Sequence, residues 1–294
     1  MIPLLLSLTI AFPRAGATLP YVEKCYMIGA VPPGTTNVVV QSRNVPVFHT
    51  GAWATLVDVK EGENSIDVAG SNHVFKIERR RIAKGDATAR VFTKLDCAGD
   101  EPKRKKSTND LSRVTIVIDA GHGGKDTGAL SPHGIEEKDA NLRLAKALGE
   151  ELKSLGFGVK LTRESDEEIP LYDRPKIAHS VDADAFISIH HNAPPIHRDP
   201  TGIRYSAVYA WNDIGLALAR PLSVRMTEAL AGEIPDKGVL KANYAVTRNP
   251  EIPSCLLEID FITDPAGELA SWNSVRRRKL AKALARGVLD WLAE

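Results

Sequence analysis

Four stretches of this sequence carry side chains suited to catalysis, and all are acids or imidazoles. His122 follows the apolar run Val114–Ile118 and sits in a glycine-rich turn, Asp119-Ala-Gly-His-Gly-Gly. His190 and His191 close a second apolar run, AFISIH. Glu258 stands inside a third, SCLLEID. Glu136 and Glu137 come just before a helical stretch that begins near Asp139. Two imidazoles and a carboxylate form a common catalytic zinc set that leaves one coordination position for water. A further glutamate can then activate that water and shuttle its proton. Plainer readings exist for each group. Glu136 and Glu137 suit the positive end of a helix dipole, and His190 suits a capped core histidine. Glu258 is harder to account for so plainly, because an ionised carboxylate in an apolar run needs a cation beside it. Successive residues of a strand face opposite ways, so only one of His190 and His191 can join the others.

The elements that would position these groups alternate between strand and helix. The apolar run from Val114 is a strand. Asp139–Leu155 reads as a helix with Leu142, Ala145, Leu148, Leu152 and Leu155 on one face and Gly156 as its stop. Phe157–Thr162 reads as a strand. A short helix runs to His179 from near Asp173, because Pro175 is tolerated only in a first turn. Strands are expected at 185–190, 203–210, 244–247 and 254–259, and helices at 214–231 and 274–292. Alternation over residues 113–294 predicts an α/β fold with a largely parallel sheet. The carboxyl ends of such strands are where functional groups gather.

Residues 18–82 read differently. Short runs at 37–40, 47–49, 52–59, 64–68 and 73–77 are separated by turn chemistry at Pro32-Pro33-Gly34, Thr50-Gly51 and Glu61-Gly62-Glu63-Asn64. They predict a small antiparallel β-sandwich-like module, with Pro46 suiting an edge strand. Its "GxW…EGxN" pattern resembles bacterial immunoglobulin-like modules. It offers no catalytic constellation and reads as a binding or spacing module. Residues 83–112 read as a linker with a basic run, Pro102-Lys103-Arg104-Lys105-Lys106, either solvated or in contact with an anionic wall polymer or membrane surface. The run Arg276-Arg277-Arg278-Lys279 reads as the solvated face of the last helix. Residues 1–17 are apolar and end in Ala15-Gly16-Ala17, as a secretory signal peptide would. They are therefore expected to stand outside the fold. Cys25 and Cys97 could pair in an oxidising compartment, while Cys255 reads as a buried thiol.

Composition sets outer limits. The chain has 294 residues, 43% hydrophobic and 26% charged, with a formal net charge of +1. That permits a packed core and argues against disorder. Nothing global points to nucleic acid, and no internal stretch is long and apolar enough for a transmembrane helix.

Five ordered words, "IDAGHGGKDTGA", "GIEEKDANLRLAKAL", "LTRESD", "FISIHHNA" and "LLEIDFITD", resemble those of the zinc-dependent N-acetylmuramoyl-L-alanine amidases of type 3. The resemblance spans about residues 114–292. It implies a twisted mixed sheet flanked by helices, one Zn2+ per chain and the ligands His122, Glu137 and His190, with Glu258 as the catalytic glutamate. It also resolves Glu136 against Glu137 and His190 against His191. The implied reaction is hydrolysis of the amide between the lactyl group of N-acetylmuramic acid and L-alanine, with peptidoglycan as substrate. Location would then be periplasm or cell wall, and the N-terminal module could contact wall polymer. The alternatives are a zinc peptidase acting within the stem peptide and a catalytically dead wall-binding protein.

The chain departs from the family's usual residues at Asp260, at Thr263-Asp264 and at His179. Arg174 is expected to form a salt bridge supporting the site. Asp126 is expected to hydrogen-bond within its own loop rather than hold a ligand. Gly121, Gly123 and Gly124 would keep the backbone slim for metal and substrate. The shortness of 193–254 predicts an open groove without a helix over His122 and His190.

Overall fold

The computed structural model describes residues 7–20, 22–78 and 110–294. The basic run at 102–106 and Cys97 lie outside the described residues, and with them the possible Cys25–Cys97 pair. Cys25 is a buried thiol.

The N-terminal region is all β. Its strands are β1 (Thr9–Phe12), β2 (Thr18–Pro20), β3 (Lys24–Ala30), β4 (Asn37–Val40), β5 (Arg43–Pro46), β6 (Ala52–Asp58), β7 (Gly62–Val68) and β8 (Ser71–Glu78). They form two sheets, β1-β3-β6 and β2-β8-β7-β4-β5. Both sheets close on one core that includes Met27, Val38, Trp53, Ile66, Phe75 and Ile77. The hairpins follow turn chemistry. Gln41-Ser42 and Ala69-Gly70 both have positive φ, the shape that fits two-residue hairpin loops to the strand twist. Asn64 is buried, and its side chain bonds to the Lys60 N–H and to the Lys60 and Gly62 carbonyls, so the EGxN pattern is a turn clasp.

Four expectations are corrected here. β1, from within residues 1–17, pairs with β3 and belongs to the fold. β2 runs parallel to β8, so the module is not purely antiparallel. The run at 47–49 is not a strand, since Val47 makes only an isolated bridge to Trp53; Pro46 instead ends the edge strand β5, as its edge reading expected. The expected β set also lacked β3, whose KCYMIGA has no polar alternation because six of its seven residues are buried.

The second region begins with a 3-10 turn at Leu111–Arg113. It continues as β9 (Thr115–Ala120), α1 (Glu137–Ser154), β10 (Gly158–Leu161), α2 (Arg174–Ser180), β11 (Ala185–Asn192), β12 (Ser206–Ala210), α3 (Asp213–Leu230), β13 (Asp236–Lys241), β14 (Ser254–Phe261), α4 (Pro265–Trp272) and α5 (Ser274–Ala293). The strands lie in the order β10-β9-β11-β14-β12-β13. Every neighbouring pair is parallel except β12 and β14. This is a mixed, largely parallel α/β sheet flanked by helices.

Strand alternation divides the sheet cleanly. Ile116, Ile118, Ile187, Ile189, Cys255, Leu257 and Ile259 face a core shared with Leu144, Leu148, Leu222, Leu284 and Val288 of α1, α3 and α5. Val117, Phe186 and Leu256 face the other way, onto Ala178 of α2, Ala183, Val246 and Ile252. The apolar face of α1 is rotated from the expected one. Leu144 is buried with Ala145, Leu148 and Leu152, while Leu155 is exposed beyond the helix end. Gly156 follows with φ 97°, as a C-terminal stop requires. The strand expected at Tyr244–Thr247 is a turn; β13 lies earlier, where its half-exposed residues hid an edge strand. α4 was not expected, and Asp264 caps it by accepting from the Ala266 and Gly267 N–H groups.

Arg276 is not on a solvated face. It is buried and bonds Glu233 at 2.6 Å and Asp260 at 3.0 Å. Asp260 also pairs with Arg204 at 2.6 Å, so the departure at 260 serves a buried ion cluster.

Candidate metal centre

The site forms where β9, β11 and β14 end side by side. Along the α2-facing side of the sheet, the apolar level of Val117, Phe186 and Leu256 is followed by Asp119 and Ser188, and then by His190 and Glu258. Asp119 is fully buried. It accepts from Thr162 Oγ1 and Ser188 Oγ, both at 2.7 Å, and from Arg174 Nη1 at 2.8 Å. Arg174 also donates to the Ala120 and His122 carbonyls. The expected salt bridge of Arg174 is present, and it holds the backbone on both sides of the glycine turn.

His122 itself has φ 61°, a left-handed conformation that a non-glycine residue adopts only where its surroundings enforce it. The strand end, Arg174 and Arg163 provide that enforcement. Arg163 is buried and donates to the Ala120, Gly121 and Lys138 carbonyls.

Three residues converge here. His122, Glu137 and His190 each offer a ligand atom, and these atoms lie within 4.8 Å of one another. His122 Nε2 is 3.2 Å from Glu137 Oε2, and His190 Nδ1 is 3.0 Å from Glu137 Oε1. Glu137 is buried at the first position of α1. Its carboxylate is steered by the Ala129 N–H, the His191 N–H and Asn141 Nδ2. Burial works to raise its pKa, but the two imidazoles outweigh burial and hold the carboxyl well below its usual range. Burial likewise pulls on the His122 imidazole, yet Glu137 and Asp126 raise it to about 9. These opposed shifts are those of a carboxylate and imidazoles held in direct contact.

Asp126 corrects one expectation. Its Oδ2 lies 2.8 Å from His122 Nδ1, while its Oδ1 accepts from the Gly128 N–H. It therefore orients the imidazole as well as the loop. The glycines are also explained in part differently. A Cβ on Gly121 would overlap the His190 ring, and one on Gly128 would press on Glu137 and His122. At Gly123 and Gly124 the close neighbours are instead the Glu167 and Glu168 segment.

The competing residues separate. Glu136 is the residue before α1 and pairs with Arg14 and Lys138. His191 is buried on the helix-facing side, its Nδ1 2.9 Å from Asn141 Oδ1, and burial pushes its pKa down to about 4. Neither belongs to the cluster. Glu258 reaches the same space without joining the triad. Its Oε2 is shielded from solvent and has no hydrogen-bond partner. Burial, then the Glu137 charge, raise its pKa well above the usual carboxylate value.

Among the described residues the one helix between 193 and 254 is α3, which packs against α5. Asn141 was not anticipated, although its place four residues after Glu137 on one helix face was a legible signal. Arg163 and Asp119 were not anticipated either, because nothing local in the sequence tells a buried polar residue from a strand terminus.

Comparisons with known proteins agree with this geometry. The sequence profile of N-acetylmuramoyl-L-alanine amidases matches residues 116–290. The chain is 30% identical over 239 residues to the probable cell wall amidase LytH of Staphylococcus aureus, covering 81% of this chain and 77% of that protein. It is similar in structure to the amidase AmiC2 of Nostoc punctiforme, with TM-score 0.57, 33% identity, and 62% of this chain and 98% of that chain covered. An N-acetylmuramoyl-L-alanine amidase of Clostridium difficile 630 gives TM-score 0.58 and 30% identity, with 62% and 98% covered. The chain belongs to the N-acetylmuramoyl-L-alanine amidase family, hydrolases that cleave the amide between N-acetylmuramic acid and L-alanine.

Proposed function

We propose that His122, Glu137 and His190 hold one Zn2+ and that Glu258 is the acid/base of peptidoglycan amide hydrolysis. The carrying observation is the convergence of three ligand atoms beside Glu258, whose Oε2 is shielded and unpartnered. The donor set suits zinc, which takes nitrogen and oxygen ligands and keeps a fourth position open in catalytic sites. His122 fits the role at atom level. Its Nδ1 lies 2.8 Å from Asp126, so Nε2, 3.2 Å from Glu137, is the ring nitrogen left to take a metal.

When bound, zinc supplies a Lewis-acid charge that lowers the pKa of water and offsets charge on a carbonyl oxygen. The chain's residues do the rest. Glu258 takes the water's proton as its oxygen attacks the lactyl carbonyl. The C–N bond then breaks, and Glu258 returns the proton to the leaving nitrogen of L-alanine. Asp126 keeps His122 in one tautomer, and Arg174 with Asp119 keeps the turn fixed.

The substrate places the protein outside the cytoplasm, in periplasm or wall. The N-terminal module, from β1 to β8, is proposed to contact wall polymer. No helix among the described residues is long and apolar enough to cross a membrane.

The test is digestion of purified peptidoglycan with and without a chelator, followed by product mass. Chelator-sensitive release of intact stem peptides beginning at L-alanine is expected. Fragments cut within the stem would mean a peptidase, and no release by zinc-loaded protein would mean a non-catalytic wall binder.

A further inference from the structure

Beside Glu258 lies a cavity of about 260 Å3 whose walls include Arg198, Tyr205, Tyr209, Tyr244 and Phe261. The aromatic groups brace one another. Tyr209 and Tyr244 meet edge to face at 5.5 Å, and Tyr205 and Phe261 do so at 4.6 Å. Rigid rings of this kind offer apolar contact at low entropic cost. The volume falls below the roughly 300–1,000 Å3 of pockets for drug-sized ligands, so it suits a short segment of substrate.

Arg198 and Glu258 are the charged residues of this lining. Arg174, Arg204, Arg225 and Arg276 are each committed to carboxylates of the protein. Arg198 is exposed at the cavity and forms no ion pair among the described residues. Its loop is nonetheless held. The Arg198 N–H donates to the Pro195 carbonyl at 2.9 Å, and the Tyr26 N–H of β3 donates to the Ile196 carbonyl at 2.9 Å. The N-terminal module thus pins the segment that presents this guanidinium.

We infer that this cavity receives the peptide side of the scissile amide, and that Arg198 pairs with a free carboxylate on the residue after L-alanine. The inference rests on the proposed role of Glu258. If Glu258 returns a proton to the leaving nitrogen, the peptide must continue from beside Glu258. The cavity opens there, with aromatic walls for the alanine methyl and a guanidinium for the next residue. In peptidoglycan that residue is a glutamate whose α-carboxyl is either free or converted to an amide. A carboxylate gives the guanidinium a charge-assisted pair, and an amide leaves it without a counter-charge. Arg198 is therefore a specificity residue that favours the acidic form of the stem.

The experiment uses the full-length, zinc-loaded chain and synthetic glycan oligomers carrying L-alanyl-D-glutamate whose γ-carboxyl is capped as an amide and whose α-carboxyl is either free or amidated. The wild type is expected to cleave the acid with kcat/KM at least about tenfold higher, mainly through KM. Arg198→Gln should lose that preference while keeping its zinc, and Arg198→Lys should keep part of it. Equal kcat/KM for the two substrates in the wild type, or an unchanged preference in Arg198→Gln, overturns the inference and leaves the amidase reading intact. If the wild type releases L-alanyl peptide from neither substrate, the amidase reading fails and this inference fails with it.

Discussion

His190 on β11 and Glu258 on β14 are registered partners in a parallel ladder, so their side chains leave the sheet on the same face. His191 leaves it on the opposite face and meets Asn141, while a register break just beyond His190 and Glu258 lets Asp260 meet Arg204 and Arg276. A one-residue shift of either strand would exchange a ligand for a core group. The β11–β14 register therefore decides whether the His190 imidazole and the Glu258 carboxyl share one site.

Glu258→Gln is expected to retain zinc and fold and to lose hydrolysis of labelled peptidoglycan by about 10²–10⁴-fold, the usual worth of an acid/base group. Dye release and elemental analysis on the same preparation check it. Its thermal midpoint should be no lower than the wild type's, because one oxygen of the carboxyl it replaces is shielded and unpartnered. Near-normal activity would remove Glu258 from the chemistry.

The two consecutive histidines should behave oppositely. His190→Asn is expected to lose bound zinc. His191→Asn should keep it and lose stability instead, because a neutral buried imidazole paired with Asn141 is a packing group. Asp126→Asn should weaken zinc affinity by about 10–100-fold, the cost of disturbing a ligand's orienting partner. Competition with a zinc chelator measures all three.

Arg174→Ala leaves the buried Asp119 charge without its cation, and removal of one partner from a buried pair costs about 3–5 kcal/mol. Denaturant unfolding of the metal-free protein should show this loss. Arg174→Lys should recover only part, since one ammonium cannot copy the forked bonds to Asp119, Ala120 and His122.

His133 couples the module to the catalytic region in a pH-dependent way. Its Nδ1 lies 2.7 Å from Glu268 Oε2 and its Nε2 3.1 Å from the Thr50 carbonyl, so only the charged ring donates to both. Burial pulls the imidazole down, but Glu268 and Thr50 outweigh it and raise its pKa. A raised histidine contributes its full stability below the unfolded value of about 6.5 and loses it as pH rises through the folded value. The difference in thermal midpoint between wild type and His133→Gln should therefore be largest near pH 6 and shrink towards pH 9. A difference constant over that range would show that the ring is not charged.

The sequence by itself determined the α/β plan of the second region and which short stretches could meet at strand ends. Apolar runs, proline and glycine positions and helical spacing are local, and they act before the chain closes. That was enough to gather His122, His190 and Glu258 as candidates, with Glu136 and Glu137 unresolved until a family resemblance chose between them. Only the tertiary structure decided the sorting physically. Arg14 and Lys138 take Glu136, the β11–β14 register separates His190 from His191, and the Asp119–Arg174 pair forms beneath the turn. β13 was hidden for a related reason, since an edge strand with half-exposed residues lacks the clean alternation of a one-sided sheet, while β1 lay in an apolar run that also suits a signal peptide. Asp126 shows the remaining limit. Its spacing allowed a loop bond and a bond to His122 alike, and the fold makes both, because the left-handed turn at His122 brings Nδ1 back over the loop.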